Sequence, residues 1–436
     1  MHSTPPAYRA AARAAAGLAP AVSLISPKLS VGHRGRRGAV GRFTEWAGRH
    51  RDLARPLVWL HASSVGEGLQ AESVLLELRR RCPAAQYAYT HYSPSAESLA
   101  RRLPVDVADY LPYDLPQPVE TLLQALAPDL LVFSKLDLWP ELATRAAGRG
   151  TSVALVAATV SPGSGRLRWP ARTLTRAGYR AVAAAAAVAG DDAERLARLG
   201  VSPERIHVLG DPRYDSVVDR IAGIGAEEPL FGLGRGAPTL VAGSTWPDDE
   251  EALLEAFRRT LARHPDARLV LVPHEPTSGH LAQAERRAAR LALPAPVRLS
   301  RAEEPVPLLL VDRLGVLASL YGAGTMAYVG GGFGRAGLHS VLEPAAWALP
   351  VAFGPGWRES RDAAALLDAG AARALTGSPR QAAVELAEIW CGWIEREEER
   401  KAAGERARAV VDGGRGASAR SADLLAGLIS SPRPRT

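Results

Sequence analysis

The feature that most constrains this chain is a rhythm that occurs twice. Short apolar runs alternate with amphipathic helical segments from residue 57 to about 210, and again from 239 to about 380. Near-continuous apolar runs mark strands buried on both faces, and a helix between each pair is the crossover that keeps neighbouring strands parallel. In the first half, 57–61, 86–90, 107–110, 129–134, 152–158, 182–189 and 206–209 read as strands. Helical periodicity falls at 67–81, 95–102, 119–127, 141–147 and 191–199. In the second half, 239–242 and 268–272 are strands and 249–264 and 280–291 helices, with further alternating segments to 353 and an Ala/Glu/Arg-rich helical region over about 380–428. The pattern predicts an α/β chain of two Rossmann-like domains facing each other across a cleft. The expected boundaries are a basic arm at 1–55, a first domain at 56–210, a Gly- and Pro-punctuated linker at 211–238, a second domain at 239–380, and a helical region with tail at 381–436.

A length of 436 residues suits two or three domains, each with its own core. The two cysteines, Cys82 and Cys391, are far apart and have no ligand spacing, so neither a disulfide framework nor a zinc site is expected. The net charge of +7 has an uneven origin. Residues 1–55 carry ten basic groups, Arg9, Arg13 and Lys28 among them, against Glu45 and Asp52, while the rest of the chain is one charge from neutral. A basic arm suits anionic lipid headgroups or an anionic substrate. No recognition motif or aromatic platform accompanies the charge, so nucleic acid is not expected as a partner. No segment reaches the ~18–20 apolar residues of a membrane span. Residues 14–27 are apolar but contain Pro20, Ser23 and Ser26, and read as an interfacial helix or a cleaved signal peptide.

Chemistry is expected at the carboxyl ends of the strands, where open α/β sheets bind ligands. In Trp59-Leu-His-Ala-Ser-Ser-Val-Gly-Glu67 a strand runs into a turn and then a helix, which brings Ser64, Gly66 and Glu67 to such an end. Ser64-x-x-Glu67 is also a capping box, which needs no catalytic role. Val329-Gly330-Gly331-Gly332-Phe-Gly334, followed by His339-Ser340-Val-Leu-Glu343, has the makings of a phosphate site: a glycine loop with free N–H groups, a helix start, and a carboxylate for a ribose. Ser340-x-x-Glu343 is again a capping box. Ser244 and Thr245 follow another strand, as do Pro273 and His274, where ordinary caps or surface positions are the alternative. The last candidate is Phe133-Ser-Lys135-Leu-Asp137-Leu-Trp139-Pro140. The chain has three lysines against fifty arginines, and it keeps Lys135 at a strand end, where a compact point charge fits and a planar guanidinium does not. Asp137 is either its ion-pair partner or an acceptor for a sugar hydroxyl.

Taken in order, these motifs resemble the 3-deoxy-D-manno-octulosonic acid (Kdo) transferases. The resemblance rests on His61-Ala-Ser-Ser-Val-Gly-Glu67, Tyr110-Leu-Pro-Tyr-Asp114, Leu138-Trp-Pro140, Gly210-Asp-Pro-Arg-Tyr-Asp215, Ala242-Gly-Ser-Thr245, Val272-Pro273, Leu320-Tyr-Gly322, Val329-Gly-Gly331 and His339-Ser-Val-Leu-Glu-Pro-Ala345. It implies a GT-B fold, a CMP-Kdo donor, a lipid A precursor as acceptor, and inversion without metal or cofactor, at the cytoplasmic face of the inner membrane. By the same resemblance Glu67 is the general base. The resemblance implies that Ser244, Thr245, Gly330, Gly331, Gly332, His339 and Glu343 hold the donor; their place at strand ends adds Pro273, Ser340 and, for the leaving phosphate, His274 or Arg213 on the donor side, and Ser64, Gly66, Lys135 and Asp137 on the acceptor side. This chain departs from the better-known branch at Lys135 and Asp137, at His274-Glu275 and at Ser340-Val341, positions where it is similar to a divergent branch. A sugar-nucleotide epimerase, another lipid-directed GT-B transferase, and a non-catalytic lipid- or nucleic-acid-binding protein are the alternative readings.

Overall fold

Among the described residues every strand runs parallel to its neighbours, in two seven-stranded sheets that organise two separate units. The computed structural model describes residues 3–334 and 337–430, apart from the side chains of Lys28 and Ser430. The first unit is formed by residues up to Ser216 together with the segment from Arg415, and the second by Val217–Gly414.

In the first unit β1 (Leu57–His61), β2 (Gln86–His91), β3 (Val107–Tyr110), β4 (Leu130–Ser134), β5 (Ser152–Ala158), β6 (Ala184–Ala187) and β7 (Ile206–Val208) lie in the order β3-β2-β1-β4-β5-β6-β7. In the second, β8 (Thr239–Thr245), β9 (Arg268–Pro273), β10 (Val297–Arg298), β11 (Leu308–Leu310), β12 (Met326–Val329), β13 (Val351–Phe353) and β14 (Ala372–Ala374) take the order β10-β11-β9-β8-β12-β13-β14. Both orders are doubly wound. Winding reverses between β1 and β4, and between β8 and β12, so the loops leaving those strands diverge and open a crevice. The apolar runs follow from burial on both sides. Leu57 and Trp59 enter one core with Phe133 and Leu122, while Val58 and Leu60, pointing the other way, enter a second with Tyr87 and Val74.

The expected boundaries shift at three places. Residues 1–55 do not form a separate arm: helices α1 (Pro6–Ser23), α2 (Pro27–Arg36) and α3 (Ala39–His50) belong to the first unit. Phe43 is fully buried in its core, Tyr8 Oη donates to Asp114 Oδ2 at 2.7 Å, and Arg9 pairs with the buried Glu141 at 2.8 Å. The expected linker holds the helix Pro212–Ala222 and a 3-10 segment at Pro229–Gly234. The C-terminal helical region divides. Pro379–Glu395 and Glu397–Gly413 stay with the second unit, whereas Ala417–Ser430 returns to the first. There it packs on α4 (Val65–Arg81): Ala422 and Leu425 join the cluster of Val74 and Leu78, and the Ser73 and Ser418 hydroxyls share a 2.8 Å hydrogen bond. The tail at 431–436 lies outside the described residues, as does Arg335 in the glycine-loop motif. Helices at Ala171–Arg180 and Arg361–Asp368 had no counterpart in the sequence pattern.

Candidate functional site

The first crevice is built by the loops that follow β1 and β4. Leaving β1, the chain caps α4 with Ser64 in extended conformation. The capping box forms: Ser64 N–H and Oγ–H both donate to Glu67 Oε2, at 3.1 and 2.9 Å, and Glu67 N–H points back to Ser64 Oγ at 3.5 Å. The cap's bonds to the carboxylate both use Oε2, and Oε1 has no hydrogen bond among the described residues. Glu67 lines a cavity of about 380 Å³ together with Lys135, Asp137, Arg166, Asp211 and Arg213. Gly66 is exposed in the first turn of α4. The next glycine is forced by packing, because a Cβ on Gly68 would stand 2.5 Å from Leu99 Cδ2 and 2.9 Å from the Tyr89 hydroxyl.

Beneath this wall lies a buried polar chain. His61 is fully buried; its Nδ1 is 2.9 Å from Thr90 Oγ1, and Trp139 Nε1–H donates to its Nε2 at 3.0 Å. The indole has only an N–H to give, so Nε2 is the acceptor in that bond. Asp137 Oδ2 lies 3.4 Å from the same Nε2 and Oδ1 4.0 Å from Arg166. Of the two readings of Asp137, an ion pair with Lys135 does not form among the described residues. Arg213, expected on the donor side, stands on the wall of this first-unit cavity and is pinned by Asp211 at 2.7 Å.

The second crevice follows β8 and β12. Ser244 has left-handed backbone, φ +54°, and Thr245 is fully buried. The Thr245 hydroxyl donates to Glu250 Oε1 at 3.0 Å, so it braces the strand end rather than reaching out to a ligand. The glycine loop also differs from expectation. Gly330 N–H donates to Gly243 O and Gly331 N–H to Asp249 Oδ2, both at 2.9 Å, so these two groups are not free for a phosphate. Close backbone approach explains the glycines. A Cβ on Gly331 would fall 2.1 Å from Gly337 O, and one on Gly332 2.7 Å from Gly354 Cα. The capping box expected at Ser340 is absent: the following helix, Leu342–Ala346, has its N-cap at Val341, Ser340 is exposed, and Glu343 pairs with Arg220. Burial holds the Glu343 carboxyl above its ordinary value, against the pull of Arg220.

His339 and His274 are brought together, their rings stacked at 4.4 Å, and Trp246 stacks on His274 at 5.0 Å. His274 follows Pro273, the last residue of β9, and its N–H donates to Thr245 O at 2.9 Å. Trp246 Nε1–H donates to His339 Nε2 at 3.0 Å. Burial, then the neighbouring His274, lowers the His339 pKa to about 4. His339 is thus neutral at pH 7 and offers Nδ1–H as a donor rather than a positive charge.

Two groups escaped the sequence reading. Asp249 ties the crevice together, accepting from Trp246 N–H at 2.9 Å, Gly331 N–H at 2.9 Å and the Tyr328 hydroxyl at 2.7 Å. The buried Glu250 meets His280 Nε2 at 2.9 Å, and this hydrogen bond raises the His280 pKa against the effect of burial. Both carboxylates stand beside Asp248 in the first turn of the helix Pro247–Leu261, where acids commonly offset the helix dipole; nothing local marks the two that turn inward.

A family model described as 3-deoxy-D-manno-octulosonic-acid transferase (kdotransferase) matches residues 36–216. The 3-deoxy-D-manno-octulosonic acid transferase of Bordetella pertussis is 30% identical over 397 residues, 86% of this chain and 87% of the relative. The enzyme of the same name from Haemophilus influenzae is 26% identical over 307 residues, 68% of this chain and 70% of the relative. Among solved structures, a UDP-GlcNAc 2-epimerase from Neisseria meningitidis bound to UDP-GlcNAc superposes with a TM-score of 0.61 at 13% identity, covering 85% of this chain and 99% of the epimerase. That likeness shows the shared two-unit GT-B-type fold and does not separate transferase from epimerase; the sequence relatives do. The chain belongs to the 3-deoxy-D-manno-octulosonic-acid transferase family and is a Kdo glycosyltransferase.

Proposed function

We propose that this chain transfers Kdo from CMP-Kdo to a lipid A precursor, with inversion at the anomeric carbon, at the cytoplasmic face of the inner membrane. The observation that carries the reading is Glu67: a carboxylate at a topological switch point, on the wall of a cavity of about 380 Å³, fixed through Oε2 by its own helix cap and with Oε1 outside that cap. In this reading Oε1 takes the proton of an acceptor hydroxyl as its oxygen attacks the anomeric carbon, and the bond to the CMP phosphate breaks. Positioned base catalysis of this kind contributes about 10²–10⁴-fold. Charge on the departing phosphate is met by neutral donors, the Ser244 hydroxyl and His339 Nδ1–H, with His274 beside them. CMP-Kdo is a substrate, and the scheme uses neither metal nor cofactor.

Membrane docking is the second part of the proposal. No helix among the described residues is long and apolar enough to cross a membrane. The turn joining α1 to α2 instead exposes Leu24 (88%) and Ile25 (84%), flanked by Leu18, Val22 and Leu29. Apolar side chains at such a tip suit insertion into the headgroup boundary.

The test is incubation of purified protein with CMP-Kdo and a lipid A precursor, followed by mass analysis of the product. Glu67→Gln is expected to bind CMP as the wild type does while transfer falls by about 10²-fold or more. Near-normal turnover in this variant removes Glu67 as the base.

A further inference from the structure

In the second crevice one closed ring of hydrogen bonds holds both the imidazole and the backbone of His339. Trp246 Nε1–H donates to His339 Nε2 at 3.0 Å, and His339 N–H donates to Gly330 O at 3.1 Å. The next residue of the loop, Gly331, donates its N–H to Asp249 Oδ2 at 2.9 Å. The same oxygen accepts from Trp246 N–H at 2.9 Å, which closes the ring. Its anchor is firm. Asp249 is buried, and its other oxygen accepts from the Tyr328 hydroxyl at 2.7 Å.

The ring sets more than a position. The Trp246 and His339 planes differ by 8° with centroids 6.4 Å apart, which brings the indole N–H to the imidazole edge, where the Nε2 lone pair lies. An indole nitrogen can only donate, so a neutral imidazole in this bond carries its proton on Nδ1. His339 is neutral at pH 7, because burial and then His274 lower its pKa to about 4. Nδ1 has no hydrogen-bond partner among the described residues, so no contact there selects the tautomer. His274 stacks on both rings, 4.4 Å from His339 and 5.0 Å from Trp246, and a stacked ring holds their planes without choosing where the proton sits. The choice falls to Trp246.

We infer that Trp246, anchored by Asp249, is a positioning residue of the transfer step: it fixes the tautomer of His339, so that a hydrogen-bond donor rather than a lone pair meets the departing phosphate. The inference rests on the transferase reading above and adds how its neutral donor is set. The two tautomers differ in sign at the phosphate. Nδ1–H offers a partial positive charge to an oxygen that is gaining negative charge, whereas the other tautomer turns a lone pair toward it.

Long-range 15N–1H spectra of histidine-labelled protein at pH 7.5, assigned against His339→Ala, read the tautomer directly. The wild type is expected to show His339 protonated on Nδ1. Trp246→Phe keeps a flat ring and loses the N–H, and is expected to move the proton wholly or partly to Nε2. In initial rates with CMP-Kdo and a lipid A precursor, Trp246→Phe is expected to lower kcat about tenfold or more, toward the 10²–10³-fold of a deleted donor. KM for CMP-Kdo is expected to stay within about threefold, since the interaction grows with charge in the transition state. In a His339→Ala background the same substitution is expected to cost less than about twofold, because Trp246 acts through His339. A wild-type His339 protonated on Nε2, a result that does not depend on the folding of Trp246→Phe, overturns the assignment and leaves the transferase reading standing. So does an unchanged tautomer or an unchanged kcat in Trp246→Phe, or a kcat loss of equal size with and without His339. No transfer of Kdo by the wild type overturns the transferase reading, and this assignment with it.

Discussion

At Glu67 the two carboxylate oxygens have separable jobs, and this removes the opposition between a helix cap and a general base that the sequence alone presents. The cap engages Oε2 and orients the group, and Oε1 remains for chemistry. His339 shows a different residue-level outcome. The motif suggested a group for the nucleotide, and the structure adds its protonation state: burial lowers its pKa from 6.5 to about 4. The folded protein therefore favours the neutral ring. Its contribution to stability is complete above pH 6.5 and is lost as pH falls toward 4. Melting temperatures of wild type and His339→Gln, measured at pH 7.5 and 5, are expected to show the wild type losing more on acidification, because glutamine keeps an acceptor for Trp246 but does not titrate. Parallel losses in the two proteins would sink this account. Asp249 was invisible for the same reason that His339 was incompletely read: beyond the local Trp246 N–H, its role comes from the Tyr328 hydroxyl and Gly331 N–H, on a segment remote in the chain.

Among the elements, the strands were the most legible, because burial on both faces writes an apolar run into the sequence itself. Helix starts were legible where a cap is local, as at Ser64, and misleading at Ser340, where Glu343 turns to Arg220 instead. The first 55 residues show how a charge count misleads. Their arginines looked available for lipid, but Arg9 pairs with Glu141, Arg42 with Asp109, Arg51 and Arg55 donate to backbone carbonyls, and Arg36 lies over the Tyr92 ring at 3.5 Å. α1 is latched through Asp114, whose carboxyl burial raises to about 6 against the hydrogen bonds from Tyr8, Glu141 N–H and Leu142 N–H. Membrane affinity at this element is then expected to depend on the apolar tip more than on charge. In flotation with vesicles containing anionic lipid, replacing both Leu24 and Ile25 by Ser is expected to weaken binding about tenfold or more, the scale of two lost apolar side chains. Raising the salt concentration is expected to change binding little. Strong salt dependence with no effect of the double substitution would reverse that assignment.

For the whole molecule, the chain's return to its first unit has a measurable consequence. Ala422 and Leu425 are fully buried against α4, and Ser418 is bonded to Ser73. Truncation after Gly414 uncovers this face and is expected to destabilise the first unit by about 3 kcal/mol or more. The second unit, which ends at Gly414, is expected to keep its CMP affinity. Denaturant unfolding of the truncated chain, followed beside calorimetric CMP titration, checks both halves; loss of CMP binding with an unchanged first unit would contradict the division. The sequence by itself determined the two parallel α/β units, the family, and the strand ends where chemistry sits, because a strand buried on both faces and a Gly- or Ser-bearing turn after it are properties of contiguous residues. Tertiary structure decided which charges are spent and which are kept. Burial and pairing are set by partners far apart in the chain, such as Arg9 with Glu141, Arg42 with Asp109 and Glu343 with Arg220, and among the described residues on the cavity wall only the closed pairs show that Lys135, beside Glu67, is left without one.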